Sequence, residues 1–89
     1  MHYFLYILQS ESKQTYYTGA SDDPERRCFF HNNASKGYTQ RYRPWKIVYS
    51  HRFDSKKQAL AAERKVKSWK SNKMIRLLVQ SKININDYT

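Results

Sequence analysis

The sequence predicts an α+β domain in which helices cover a small sheet, with elements in the order β-β-α-β-α-α. Three observations predict it. Two aromatic and branched runs near the N-terminus are separated by four polar residues, which reads as two strands joined in a hairpin. Acids and a proline at positions 22–25 then open a helical stretch. Beyond a third strand-like run, two serine-capped stretches carry apolar residues at helical spacing. The 89 residues are expected to make one domain, 1–89, around one modest core.

Residues 2–9 (HYFLYILQ) contain no breaker, and a strand buried on both faces is expected there. Residues 10–13 (SESK) make the turn, and residues 14–20 (QTYYTGA) make the second strand. With that loop, Gln9 pairs with Gln14 and Tyr6 stands opposite Tyr17 on the same sheet face. Gly19 marks either a turn or a close approach to the backbone. Asp22 with Glu25 fits a capping box, and Asp23 as cap with Pro24 at the first helical position fits equally well. This helix runs to about Asn32. Residues 37–44 (GYTQRYRP) read as a basic, aromatic loop, and residues 45–53 (WKIVYSHRF) hold the third strand, centred on Ile47, Val48 and Tyr49. Ser55 with Gln58 opens the next helix, whose apolar face is Ala59, Ala62, Val66 and Trp69. Ser71 caps a last helix containing Met74, Ile75, Leu77, Leu78 and Val79, and residues 83–89 form a tail.

Seventeen Lys and Arg against seven Asp and Glu give a net charge of +10. A field of that size suits a polyanion: DNA, RNA or an acidic membrane face. No run is long enough to span a bilayer, and the N-terminal apolar run lacks the basic lead of a signal peptide. A cytoplasmic location without a membrane partner is the expectation. The single cysteine, Cys28, has no partner for an internal disulfide, which fits a reducing compartment. There is no glycine-rich phosphate cradle, zinc-ligand spacing or nucleophile elbow, and no small-molecule cofactor is expected.

Between Asp54 and Asp87 the only acid is Glu63, among nine Lys or Arg. It falls beside the apolar stripe of its helix, where a charge needs a partner. Two partners are open: Lys67 four residues on, or a hard divalent cation. Arg27 and His31 share a helical face, either as part of a solvated basic surface or as phosphate contacts. Tyr6 and Tyr17 are either core rings or walls of a site. A phenol with a pKa of about 10 is a poor base unless nearby cations lower it. Lys36, Tyr38, Arg41 and Arg43 interleave charge with rings, a pattern for phosphate contact and base stacking, and Lys67 and Lys70 extend the basic surface.

Taken together these residues resemble the GIY-YIG nuclease superfamily in its small standalone form. Leu5, Tyr6 and Ile7 stand for the first motif without its leading glycine and isoleucine; Tyr17, Thr18 and Gly19 stand for the second, with Thr in place of Ile. Residues 23–27 (DPERR), with His31 beyond them, resemble the family's helix. Residues 37–49 resemble the middle of the standalone subfamily, and residues 59–67 around Glu63 its metal-binding helix. The missing residues supply no functional group. The resemblance implies a three-stranded antiparallel sheet flanked by helices. It implies Mg²⁺- or Mn²⁺-dependent hydrolysis of phosphodiesters, normally in DNA, in repair or processing; the choice between DNA and RNA is left open. It implies that Tyr6 and Tyr17 face each other and that one activates water. Arg27 and His31 become phosphate and transition-state contacts, and Glu63 becomes the protein's metal ligand. Asn72 is the nearest counterpart of an Asn that many members carry near the last helix. The alternative is a nucleic-acid-binding module that keeps the fold without cutting.

Overall fold

The computed structural model describes residues 2–89. The elements are β1 (Tyr3–Ser10), β2 (Tyr16–Ser21), α1 (Pro24–Asn33), α2 (Tyr38–Arg41), β3 (Trp45–Phe53), α3 (Lys56–Trp69) and α4 (Asn72–Val79), with a 3-10 turn at Ile85–Asp87. The α+β class and element order are as the sequence predicts, with the single turn of α2 inserted where a loop was expected. The strands form one antiparallel sheet in the order β2-β1-β3.

The central position of β1 explains its unbroken apolar run. Leu5, Tyr6, Ile7 and Leu8 are all 1% exposed or less. Strand alternation sorts them onto two faces. Leu5 and Ile7 pack with Ala59, Ala62 and Val66 of α3, Leu78 of α4 and Ile85 of the tail. Tyr6 and Leu8 pack with Trp45, Cys28 of α1 and Tyr42 on the other face. Truncating Leu5 or Ile7 to alanine in such a setting costs about 2–5 kcal/mol. Between β1 and β3, Ile7 pairs with Tyr49 and Leu8 with Ile47, so Val48 is an extra bulged residue. The bulge sends Val48 and Tyr49 to the α3–α4 layer and Ile47 to the layer of Leu8 and Trp45.

The helix starts follow their caps. Asp23 is the cap of α1: its carboxylate accepts from the Arg26 N–H at 3.1 Å, with Pro24 opening the helix. Asp22 instead accepts from the Arg26 guanidinium at 2.9 Å. Ser55 accepts from Gln58 N–H and Ser71 from Met74 N–H, each at 3.2 Å. Each such cap stabilises its helix by about 1 kcal/mol.

The hairpin register differs from the expected one by two residues. Gln9 pairs with Tyr16, Leu8 with Tyr17 and Tyr6 with Gly19. Ser10 is the cause. Its hydroxyl donates to Tyr42 O at 2.7 Å and accepts from the N–H groups of Ser12 and Lys13. Its own N–H donates to Thr15 O, which lengthens the loop to residues 11–15. A slip of two preserves which face each side chain occupies. Tyr6 and Tyr17 therefore share a face as diagonal rather than opposed neighbours. Among the described residues, no helix is long and apolar enough to cross a membrane.

Candidate active site

The pairing of Tyr6 with Gly19 sets the geometry of the site. A Cβ at Gly19 would lie 2.5 Å from Tyr6 Oη, 2.6 Å from Cζ and 2.9 Å from Cε2. The Tyr6 ring thus lies flat against bare backbone of β2, and the glycine is there for that close approach. From α1, His31 brings Nε2 to 3.3 Å from Tyr6 Oη. Arg27, one turn earlier, lines the same cavity as Tyr6, and its positive charge acts on the Tyr6 phenol. The His31 ring tilts against Tyr17 with centroids 4.6 Å apart.

Burial sets the protonation of this group. It pushes the Tyr6 phenol up to about 12, against the nearby Arg27 guanidinium, which pulls it down. It pushes the His31 imidazole down to about 4, helped by the positive charges of Arg27 and Arg43. At neutral pH both are uncharged. In that state Tyr6 can donate a hydrogen bond through its hydroxyl, and His31 carries no charge.

The tautomer of His31 follows from one unpaired atom. Among the described residues, His31 Nδ1 is the buried side-chain nitrogen or oxygen without a partner. A buried N–H left unpaired is rarer than an unpaired lone pair. The ring proton therefore belongs on Nε2, which donates to Tyr6 Oη. The Tyr6 hydroxyl proton is then not taken up by His31 and is free to donate to another group.

Tyr6, Tyr17, Arg27 and Glu63 line one cavity of about 360 Å³, with Tyr3, Gly19, Asp22 and Arg26 around them. Four separate elements, β1, β2, α1 and α3, converge there. His31 stands behind Tyr6 and lines a neighbouring cavity of about 330 Å³, with Tyr17, Phe30, Lys36 and Tyr38. Tyr17 is shared by the two. The Glu63 side chain is 18% exposed and pairs with Lys67 Nζ at 2.9 Å. It already attracts a cation. With Asp22 of the same cavity paired to Arg26, the Glu63 carboxylate and the phenol hydroxyls form an all-oxygen donor set, which fits an ion such as Mg²⁺ that keeps most of its waters. Among the described residues no three His, Cys, Asp or Glu gather, so a zinc-type cage has no ligands here.

Apart from Lys67, whose ammonium reaches Glu63 at 2.9 Å, the other predicted residues lie away from this cavity. Asn72 opens α4 and lines a separate recess with Gln9, Gln14, Tyr16 and Arg76. Lys36, Tyr38, Arg41, Lys67 and Lys70 are exposed. Arg43 is half-buried, and its guanidinium donates to His31 O and Ser35 O, both at 2.6 Å. That fork ties the end of α1 to the following loop and leaves little of Arg43 for a ligand. Phe29 and Phe30, which the sequence reading does not single out, are exposed on α1. The Arg27 guanidinium lies 4.6 Å over the Phe30 ring. The signal for it was the three-residue step from Arg27, which puts both on one face.

Residues 2–76 match the GIY-YIG catalytic domain. The chain is 34% identical over 77 residues to a UPF0213 protein of Staphylococcus saprophyticus, covering 85% of this chain and 93% of that one. A UPF0213 protein of Natronomonas pharaonis is 37% identical over 78 residues, 85% of this chain and 89% of its own. The structure-specific endonuclease subunit slx1 of Schizosaccharomyces japonicus is 41% identical over 69 residues, which is 71% of this chain but 25% of that longer protein. The solution NMR structure of a UPF0213 protein from Bacillus halodurans superposes with a TM-score of 0.58 at 31% identity, covering 92% of this chain and 86% of that one.

Proposed function

The chain belongs to the GIY-YIG family, and from that premise we propose that it is an endonuclease that hydrolyses phosphodiester bonds in DNA with one divalent ion, Mg²⁺ or Mn²⁺, held by Glu63. The observation that carries the reading is the convergence of Tyr6, Tyr17, Arg27 and Glu63 on one cavity. The relative named a structure-specific endonuclease subunit supports a role in DNA processing or repair.

Each group has a task its environment allows. Arg27 offers a planar fork of donors to the non-bridging oxygens of the scissile phosphate and offsets the charge that grows there. The free proton of Tyr6 donates to the same phosphate from the rigid side of the cavity. Tyr17 is half-buried rather than sealed, so its hydroxyl can accept a hydrogen bond from the attacking water and aim it. Glu63 would hold the divalent ion, whose positive charge would offset the negative charge that builds up as the phosphodiester breaks. His31 holds Tyr6 in place from behind. Lys36, Arg41 and Lys70 add phosphate contacts, and Tyr38, Phe29 and Phe30 add rings on which bases can stack.

The test is cleavage of single-stranded, duplex, flapped and branched DNA, and of RNA, with and without Mg²⁺ or Mn²⁺. The rate should fall by about 10²–10³ in Arg27→Ala and at least as far in Glu63→Gln. Both variants should retain wild-type melting. A wild-type protein that cuts none of these better than Glu63→Gln refutes the reading. Salt-sensitive binding without cutting would instead identify a nucleic-acid-binding module.

A further inference from the structure

Lys67 joins two walls of the site. Its Nζ is 2.9 Å from Glu63 Oε2 and 5.9 Å from the centroid of the Tyr17 ring. The two partners are unequally held. The Glu63 side chain is 18% exposed, and that of Lys67 is 52% exposed on a flexible stem. The carboxylate is therefore the fixed partner and the ammonium the movable one. Any second cation on Glu63 would sit within a few ångströms of the ammonium, where like charges repel strongly at a partly buried site. A phosphate entering between Tyr17 and Arg27 offers the same ammonium a different anion, on the side of the cavity its charge already faces.

We propose that Lys67 is a positioning residue that couples metal binding to nucleic-acid binding, by holding Glu63 in the free protein and moving onto the substrate phosphate when it arrives. The proposal rests on Glu63 being the metal ligand. In the free protein the ammonium competes with the divalent ion, so the ion binds weakly. Once the phosphate takes Lys67, Glu63 is released and the ion binds more tightly. By linkage the effect is reciprocal, and the ion tightens the hold on nucleic acid by the same factor. The arrangement confines the assembled site to the substrate-bound protein.

The measurement is Mn²⁺ binding to the full chain by electron paramagnetic resonance. It is made without nucleic acid and with a short phosphorothioate oligonucleotide that resists cleavage, corrected for Mn²⁺ held by the oligonucleotide alone. Lys67→Gln should bind Mn²⁺ about fivefold more tightly than wild type in the free state, the size of an ion pair at a partly exposed site. The gain in Mn²⁺ affinity that the oligonucleotide gives wild type should largely disappear in Lys67→Gln and return in Lys67→Arg. Lys67→Gln binding Mn²⁺ no more tightly than wild type overturns the proposal while leaving Glu63 as the ligand. So does a full oligonucleotide effect in that variant. If neither protein binds Mn²⁺ more tightly than Glu63→Gln, with or without oligonucleotide, the metal assignment itself falls, and the coupling with it.

Discussion

Replacing Gly19 with alanine tests the contact on which the site is built. The new Cβ would lie 2.5 Å from Tyr6 Oη and 2.6 Å from Cζ, and such contacts essentially never fall below 3.0 Å. The ring must retreat by at least half an ångström. Tyr6 has nowhere cheap to go, because it is 1% exposed, packed with Leu8 and Trp45, and held by His31. Overpacking of this kind costs about 1–3 kcal/mol. Alanine recovers about 0.5–1 kcal/mol over glycine within a strand. The net loss, up to about 2.5 kcal/mol, should lower the melting temperature by about 4–8 °C for each kcal/mol in a domain this small. Cleavage at a temperature where the variant is still folded should fall further, because the Tyr6 hydroxyl has been displaced from the cavity. Thermal unfolding by circular dichroism and cleavage of the preferred substrate read the two effects separately. Tyr6→Phe removes the nearest atom, so Gly19→Ala with Tyr6→Phe should cost less stability than the two changes added. A Gly19→Ala protein that melts with wild type and cuts at its rate would show that the ring does not rest on that backbone.

Two further perturbations separate structural from catalytic roles. His31 takes a proton only near pH 4 when folded, against 6.5 when unfolded. Its contribution to stability is therefore complete above pH 6.5 and is lost as the pH falls toward 4, amounting to roughly 3 kcal/mol. Denaturant unfolding between pH 4.5 and 7 should show that slope in wild type and a shallower one in His31→Phe, and equal slopes would contradict it. Arg43→Ala removes two donors from backbone carbonyls at 2.6 Å and should cost about 2–3 kcal/mol. Thermal melts should show Arg43→Lys recovering only part of that, because an ammonium lacks the fork, and full recovery would mean that charge alone suffices.

What could be read from the sequence was what local chemistry decides. The centre of β1 was legible because a strand buried on both faces shows no alternation. The starts of α3 and α4 were legible because Ser55 and Ser71 accept from residues three positions on. The convergence of Tyr6 with Tyr17 survived an error of two residues in register, since parity alone fixes the face. Long-range bonds decided what was missed. Ser10 donates to Tyr42 O, 32 residues away, and no pattern within the hairpin announces it. The α2 turn is held by Trp45 Nε1 donating to Thr39 O at 2.7 Å and by the Ser35–Thr39 hydroxyl pair. Helical spacing placed His31 on the face of Arg27 but carried no depth, so it did not show that the ring lies behind Tyr6. Arg43 looked like part of a solvated basic loop for the same reason: carbonyls that accept from a guanidinium leave no trace in composition.

Tyr6 is at once part of the core and part of the proposed site, and this constrains how the site can work. A ring that is 1% exposed, with its phenol raised to about 12, cannot shed its proton on the timescale of a hydrolytic step without a large cost. What burial offers instead is direction. His31 Nε2 engages the oxygen at 3.3 Å, and the hydroxyl proton is left to donate a hydrogen bond from a fixed position without reorganisation. Changes of partner then fall to the open side of the cavity, where Tyr17, Lys67 and Glu63 keep some exposure. The division follows from size. A domain of 89 residues has too little interior to build a rigid wall apart from its core, so the core itself serves as the wall. Substitutions at Tyr6, Gly19 or His31 should accordingly move stability and cleavage together, whereas those at Glu63 or Lys67 should move cleavage or ion binding with little change in melting.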